Sequence, residues 1–320
     1  MKPVVACPGC GGRSLRPFSF TVDAERGRDM HFAQTRCRDC DLVFSNPVAE
    51  RDELDRFYQS TYYEDLEREY NPARPDLEEV IRARGRGEAN GLRTSVLPYV
   101  TSGTFFEIGA GFGGLLDGAR QLGFEVAGIE PSEEAARFGR EVMGLDGLRH
   151  GLFDPREWPA EFCDVIYSFM VIEHVSDLHE FAGGIHKLLK PGGLAVIGTE
   201  NHHNVWVMVR RVRSWLKGRR LPEFQTASHH TFYFSGLSLR RLLERHGLDI
   251  VRCLVYTPSL AEKRPHYHFR AWYSKLAFYA MHYADVWTGR GGRVLVWCRK
   301  PSDGMASTAV RGAAPGRQPV

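Results

Sequence analysis

The chain has no apolar run approaching the roughly 20 residues that cross a bilayer, and no apolar stretch follows Met1-Lys2-Pro3 as a secretory leader requires. A membrane-spanning or exported protein is not expected; a cytoplasmic one is. Charge of one sign is also lacking. The 42 Lys and Arg nearly balance 39 Asp and Glu, leaving a net +3, and neither end carries a basic arm. That balance argues against a nucleic-acid partner. Cysteine is sparse, seven in 320 residues, yet four of the seven stand in two Cys-x-x-Cys pairs. Such a distribution suits metal binding in a reducing compartment and excludes a dense disulfide framework. The apolar share of 43% is ordinary, and the length accommodates one sizeable α/β domain plus a small appendage.

The paired cysteines come first. Cys7-Pro8-Gly9-Cys10 and Cys37-Arg38-Asp39-Cys40 flank a 26-residue interval, the spacing of two zinc knuckles with short strands between them at 18–22 and 30–34. Residues 1–50 thus read as a zinc-ribbon-like module too small to fold on its own core, with Zn2+ held by Cys7, Cys10, Cys37 and Cys40 supplying the missing stability. Asn46-Pro47 closes the module. Residues 51–97 then read as a helical connector and cleft cover, with helices at 51–63 and 77–99 separated by Asn71-Pro72-Ala73-Arg74-Pro75. Residues 301–320, rich in Ala, Gly, Ser and Pro, read as a disordered tail.

From residue 98 to 300 strands and helices alternate, the pattern of a doubly wound parallel sheet. The first strand, 104–108, runs into Gly109-Ala110-Gly111-Phe112-Gly113-Gly114 and a helix. A strand, a glycine turn and a helix N-terminus aim backbone N–H groups at a ligand. Gly109, Gly111 and Gly114 satisfy the dinucleotide fingerprint, so a nicotinamide enzyme is one reading. Glu130, ending the second strand, suits any adenosine ribose.

Other residues separate the readings. Glu107 places a carboxylate where a nicotinamide site usually has an apolar residue, which suits a cationic ligand. Asp164-Val165-Ile166-Tyr167-Ser168-Phe169-Met170-Val171-Ile172-Glu173-His174-Val175 and Leu188-Leu189-Lys190-Pro191-Gly192-Gly193 follow. Together these segments resemble the class I S-adenosylmethionine-dependent methyltransferases over residues 98–200 and the terminal strands. The resemblance implies a Rossmann-like seven-stranded sheet with its last strand antiparallel. It also implies S-adenosyl-L-methionine as cofactor, with Glu107, Gly109, Gly111 and Gly113 at its methionine end and Glu130 on its ribose. Pro131, Leu152, Phe153 and Phe169 would flank the bound molecule, with Asp154 near the adenine amino group.

The stretch Cys37 to Pro47, with Phe57-Tyr58 and Tyr62-Tyr63, resembles a methyltransferase subgroup that carries an N-terminal zinc site and includes sugar C-methyltransferases acting on nucleotide-linked keto-sugars. In those enzymes a tyrosine of this region helps close the site, so Tyr58, Tyr62 and Tyr63 are candidates. They also carry a further C-terminal α/β domain, for which this chain has no room. The expected activity is methylation, on carbon or oxygen, of a small-molecule acceptor such as a sugar. An oxygen or carbon nucleophile needs a base. The candidates are Glu173 and His174 after the fourth strand, Glu200, His202 and His203 after the fifth, and His229-His230 before Thr231-Phe232-Tyr233-Phe234-Ser235. The reading from another class is a non-catalytic zinc-containing adaptor that merely binds nucleotide.

Residues 205–220, within an insertion over 201–230, carry six cations and no acid, with Val205, Val209, Val212 and Leu216 at helical spacing. They read either as a lid over the substrate cleft or as a basic amphipathic helix in peripheral contact with a membrane bearing a lipid-linked substrate. Their cations would equally suit a nucleotide diphosphate. The aromatic-rich stretch between 252 and 299 would add an apolar wall.

Overall fold

The computed structural model describes residues 4–22, 31–48, 51, 75–218, 223–224, 230–260 and 272–302. Its larger sheet is built from β4 (Thr104–Ile108), β5 (Glu125–Glu130), β6 (Leu148–His150), β7 (Cys163–Phe169), β8 (Leu189–Glu200), β11 (Asp249–Tyr256) and β12 (Arg293–Arg299). Their order is β11-β12-β8-β7-β4-β5-β6. β4 to β8 run parallel, and β12 is antiparallel to both β8 and β11. The chain moves outward from β4 through β5 to β6, then returns to the other side of β4 for β7 and β8. This reversal opens a crevice at the carboxyl ends of β4 and β7, where open α/β sheets hold ligands.

Helices cover both faces because the parallel strands are apolar on both. On one face α1 (Leu77–Ser95), α2 (Gly114–Gln121) and α3 (Glu133–Glu141) bury Leu77, Ile81, Leu92, Leu116 and Ala135 against Phe105, Val165 and Val196. On the other, α4 (Leu178–Leu188) and α6 (Gly236–Arg245) bury Leu178, Phe181, Ile185, Leu239 and Leu242 against Phe106, Ile166 and Ile197.

The cysteine-bearing segment forms a second sheet. β1 (Leu15–Val22), β2 (His31–Cys37) and β3 (Val43–Asn46) pair antiparallel. β9 (Glu223–Phe224) joins β1, and β10 (Phe232–Tyr233) joins β3. This sheet shares the core of the larger domain: Cys7, Cys37, Cys40, Leu42 and Phe44 pack in the same cluster as Ile166, Phe232, Leu239 and Leu242. Two further helices, α5 (Val205–Leu216) and α7 (Trp272–Thr288), complete the described residues. Among those residues no helix is long and apolar enough to cross a membrane.

Candidate active site

The glycine turn is shaped by contacts that only hydrogen side chains allow. Gly109 has φ +79°, and a Cβ there would stand 2.4 Å from Val171 Cγ2; Gly113, φ +83°, caps α2 with Leu145 where its Cβ would be. At Gly111 a Cβ would meet nothing within 4 Å, because that edge of the turn faces an open cleft of about 230 Å³. Gly109 and Gly111 line this cleft with Glu130, Pro131, Leu152, Phe153, Phe169 and His174, eight of the residues expected from the sequence.

Glu130 is buried at the end of β5, and burial pushes its carboxyl up to about 7. One oxygen accepts from Gly111 N at 2.7 Å and the other from Ser132 N at 2.9 Å. Each oxygen keeps a lone pair for a ligand hydroxyl. Glu107 does not line the cleft. It lies buried on β4 among charges of α1, near Glu88 and Arg84, and burial raises its carboxyl well above the usual range. Its Oε2 is buried with no hydrogen-bond partner, an arrangement costly unless a cation or donor completes it. Asp154 also stays outside the cleft: it caps the turn Pro155–Glu157 and pairs with Arg156 at 2.6 Å.

The crevice continues toward the second sheet. Met170, after β7, holds φ +60° with its N–H bonded to Gly198 O, a strained conformation for a residue with a side chain. Four residues on, His174 faces the ring of His230 edge-on at 4.6 Å. The ligating atoms of Glu173, His174 and His230 lie within 4.8 Å of one another, and Glu200 Oε2 is 3.6 Å from His230 Nδ1. The structure thus brings together Glu173, His174, Glu200 and His230, four of the seven expected acid–base residues, although residues 173 and 230 are distant in sequence. Backbone does this: Thr231 N and Phe232 N both donate to Glu173 O. On the other side, Ser45 N of β3 donates to Thr231 O and Ser45 Oγ to His230 O. The cysteine-bearing sheet therefore fixes His230 opposite His174. Burial pushes Glu173 up to about 8 and His230 down to about 4, so near neutrality each is uncharged.

His202, another candidate, is not brought to the cleft. It is buried edge-on to Phe18, and burial pushes it down to about 4; its Nε2–H donates to Asp41 O at 3.0 Å. His203 Nε2 meets Asp41 Oδ2 at 2.6 Å, and Arg36 Nε donates to Asp41 Oδ1 at 2.7 Å. Although burial opposes it, hydrogen bonds with His203 and Ser235 and the nearness of His202 hold the Asp41 carboxyl below the usual carboxylate range. Asp41 thereby ties the loop after β8 to the second cysteine pair. Sequence reasoning misses Asp41, Met170 and the cleft residues Arg51 and Glu180, none of which carries a local signal. Residues 49–50, Tyr58, Tyr62, Tyr63 and His229 lie outside the described residues. The helix expected at 205–220 is present as α5, but none of its residues lines the cleft; it packs Val207 against Phe18 and Val43 of the smaller sheet.

The four knuckle sulfurs converge. Cys7 Sγ and Cys40 Sγ are 3.5 Å apart, Cys10 Sγ and Cys37 Sγ 3.6 Å, and all four ligating atoms lie within 4.8 Å of one another. A disulfide would need ~2.05 Å, whereas tetrahedral zinc thiolate bonds of ~2.3 Å separate sulfurs by about 3.8 Å. The donor set fits zinc.

A doubly wound sheet with a glycine turn, a carboxylate closing the next strand and an adjoining cleft at the reversal point defines a nucleoside-cofactor fold. Comparison narrows it. Residues 63–252 match a family described as a methyltransferase domain. The chain belongs to the class I S-adenosylmethionine-dependent methyltransferases. It is similar to the "Ubiquinone biosynthesis O-methyltransferase" of Ruegeria pomeroyi, 36% identical over 101 residues covering 30% of this chain and 41% of the relative. It is also similar to the "C-methyltransferase NovU" of Streptomyces niveus, 30% identical over 159 residues covering 45% of this chain and 32% of the relative. The chain spans less than half the length of either. A solved structure of phosphoethanolamine N-methyltransferase 2 from Haemonchus contortus, bound to S-adenosyl-L-methionine, matches 90% of this chain and 69% of its own with a TM-score of 0.50 at 14% identity; that likeness concerns the fold.

Proposed function

We propose that the protein transfers the methyl group of S-adenosylmethionine to carbon or oxygen of a small biosynthetic acceptor, such as a sugar, with zinc held structurally by Cys7, Cys10, Cys37 and Cys40. The observation that carries the reading is the cofactor cleft of Gly111 and Glu130 opening beside the pair His174 and His230. When bound, the cofactor supplies an electrophilic methyl on a sulfonium with a good leaving group. Glu130 would accept from the ribose hydroxyls, Pro131, Leu152 and Phe153 would flank the adenine, and Glu107, set back from the cleft with one oxygen unpartnered, would offer that oxygen to the ammonium. Gly109 and Gly113 hold the turn, and Phe169 walls the side toward the acceptor.

The remaining work is alignment, water exclusion and proton removal. His174 takes the acceptor proton, with the ligating atoms of His230 and Glu173 within 4.8 Å of its own. A histidine base works near neutral pH, so the acceptor hydrogen has to be acidified by its own chemistry, as on a hydroxyl of an aromatic ring or a carbon beside a carbonyl. The relatives named for O- and C-methylation support this range without choosing within it. The test is S-adenosylhomocysteine release with acceptors of both kinds. His174→Asn should lower kcat by about 100-fold or more, the usual range for a lost general base, while affinity for S-adenosylhomocysteine stays within about twofold. Unchanged kcat would remove His174 from the reaction.

A further inference from the structure

Helices α5 and α7 carry more exposed apolar surface than the reaction explains. In α7, Phe278, His282 and Asp285 face inward, while Leu276, Ala280, Tyr283 and Trp287 recur at i, i+4, i+7 and i+11 on the outside. Trp287 is 87% exposed, and Leu276 and Tyr283 are each 61% exposed. In α5 the outward residues Met208, Val212, Trp215 and Leu216 repeat the pattern, with Trp215 at 74%. The helices touch each other, and the N-terminus of α5 is pinned to α7 by Val205 N donating to Asp285 Oδ1 at 2.9 Å. Contiguous apolar patches of this kind on a folded protein mark a contact surface.

We propose that α5 and α7 together form a landing surface for an anionic phospholipid bilayer. Charge selects this occupant. Arg210 and Arg213 lie on α5, Lys217 follows it directly, and no acidic residue occurs from Val205 to Lys217; Arg211 instead turns inward, its guanidinium over the Phe18 ring. Within α7 the sole acid is Asp285, which is buried beneath the face. The outward surface therefore combines tryptophan, aliphatic residues and cations, the composition of a helix lying in the headgroup region. A second copy docked face to face would set the cations of one α5 against those of the other, at a Coulomb cost. Neither helix is suited to crossing a bilayer, so the contact is in-plane. The surface begins five residues after Glu200, whose Oε2 is 3.6 Å from His230 Nδ1, so an acceptor dissolved in or anchored to the lipid would be delivered near the acid–base cluster. The proposal stands on exposure and charge, independent of the methyl-transfer reading.

The test is co-sedimentation of the full zinc-loaded chain with phosphatidylcholine vesicles, with and without phosphatidylglycerol. Retention should be at least ~10-fold greater on the anionic vesicles and fall as salt rises. Leu276→Glu with Trp287→Glu, and separately Arg210→Glu with Arg213→Glu, should each reduce it about tenfold. Unaltered affinity for S-adenosylhomocysteine would show these variants to be folded. Absence of retention on anionic vesicles, or retention indifferent to both double variants, overturns the proposal. So does a stable dimer in light scattering that Trp287→Glu dissolves without any vesicle binding, since a second copy then covers the face.

Discussion

Replacing Cys40 with serine should lower turnover far more than affinity for S-adenosylhomocysteine. The sulfurs of Cys7, Cys10, Cys37 and Cys40 sit at metal-binding separations, and the strands they close include β3. That strand pairs Phe44 with Phe232 and bonds Ser45 to Thr231 and His230. Loss of the proposed metal should therefore release His230 from its place beside His174, whereas the turn from Gly109 to Gly113 belongs to the other sheet and should keep its shape. Because Cys7, Cys37 and Cys40 also lie within the main core cluster, the damage is not confined to a surface knuckle. A structural zinc in isolated modules contributes roughly 10–16 kcal/mol of apparent binding free energy. If even ~5 kcal/mol of that is lost here, melting should fall by about 10 °C or more, at ~2–4 °C per kcal/mol. Zinc release assays, melting curves and separate measurement of kcat and cofactor affinity check this. A Cys40→Ser protein with full turnover and unchanged melting would mean that the cluster does not brace the site.

Glu130→Ala should cost at least ~100-fold in S-adenosylhomocysteine affinity. The carboxylate can accept two ribose hydroxyls, and hydrogen bonds to a charged group are each worth about 1.5–3 kcal/mol. The substitution also strips Gly111 N and Ser132 N of their acceptor, loosening the turn itself. Glu130→Gln retains an acceptor and removes the charge, so its loss should be intermediate, ~10-fold. Calorimetry on both variants, with melting curves to establish that they fold, separates the hydroxyl bonds from the support of the turn. Equal affinity in all three proteins would relocate the ribose.

Local patterns made much of this legible from sequence. The two cysteine pairs, the turn after Ile108 and the carboxylate at Glu130 are short-range features, and their chemistry is written in residue type and spacing. Two segments were harder. Pro191-Gly192-Gly193 is of a composition that usually interrupts an element, yet β8 already begins at Leu189, and Gly192 and Gly193 exchange hydrogen bonds with Lys300. α7 was hidden for a different reason. Apolar residues occupy both its buried stripe, with Phe278 beside His282 and Asp285, and its exposed face, with Leu276, Tyr283 and Trp287, so no one-sided apolar period announces a helix. The pairing of β3 with β10 and the bond between Asp41 and His203 join segments far apart in the chain. No window along the sequence contains both partners. That is why His202, attractive by its place after the fifth strand, turns out to be engaged with Asp41, and why His230 reaches His174.

The most direct test is titration calorimetry of the zinc-loaded wild-type chain with S-adenosylmethionine, S-adenosylhomocysteine and NADH. The account predicts one-to-one binding of the first two and no heat with the third. Binding of NADH with silence from both S-adenosyl compounds would contradict it.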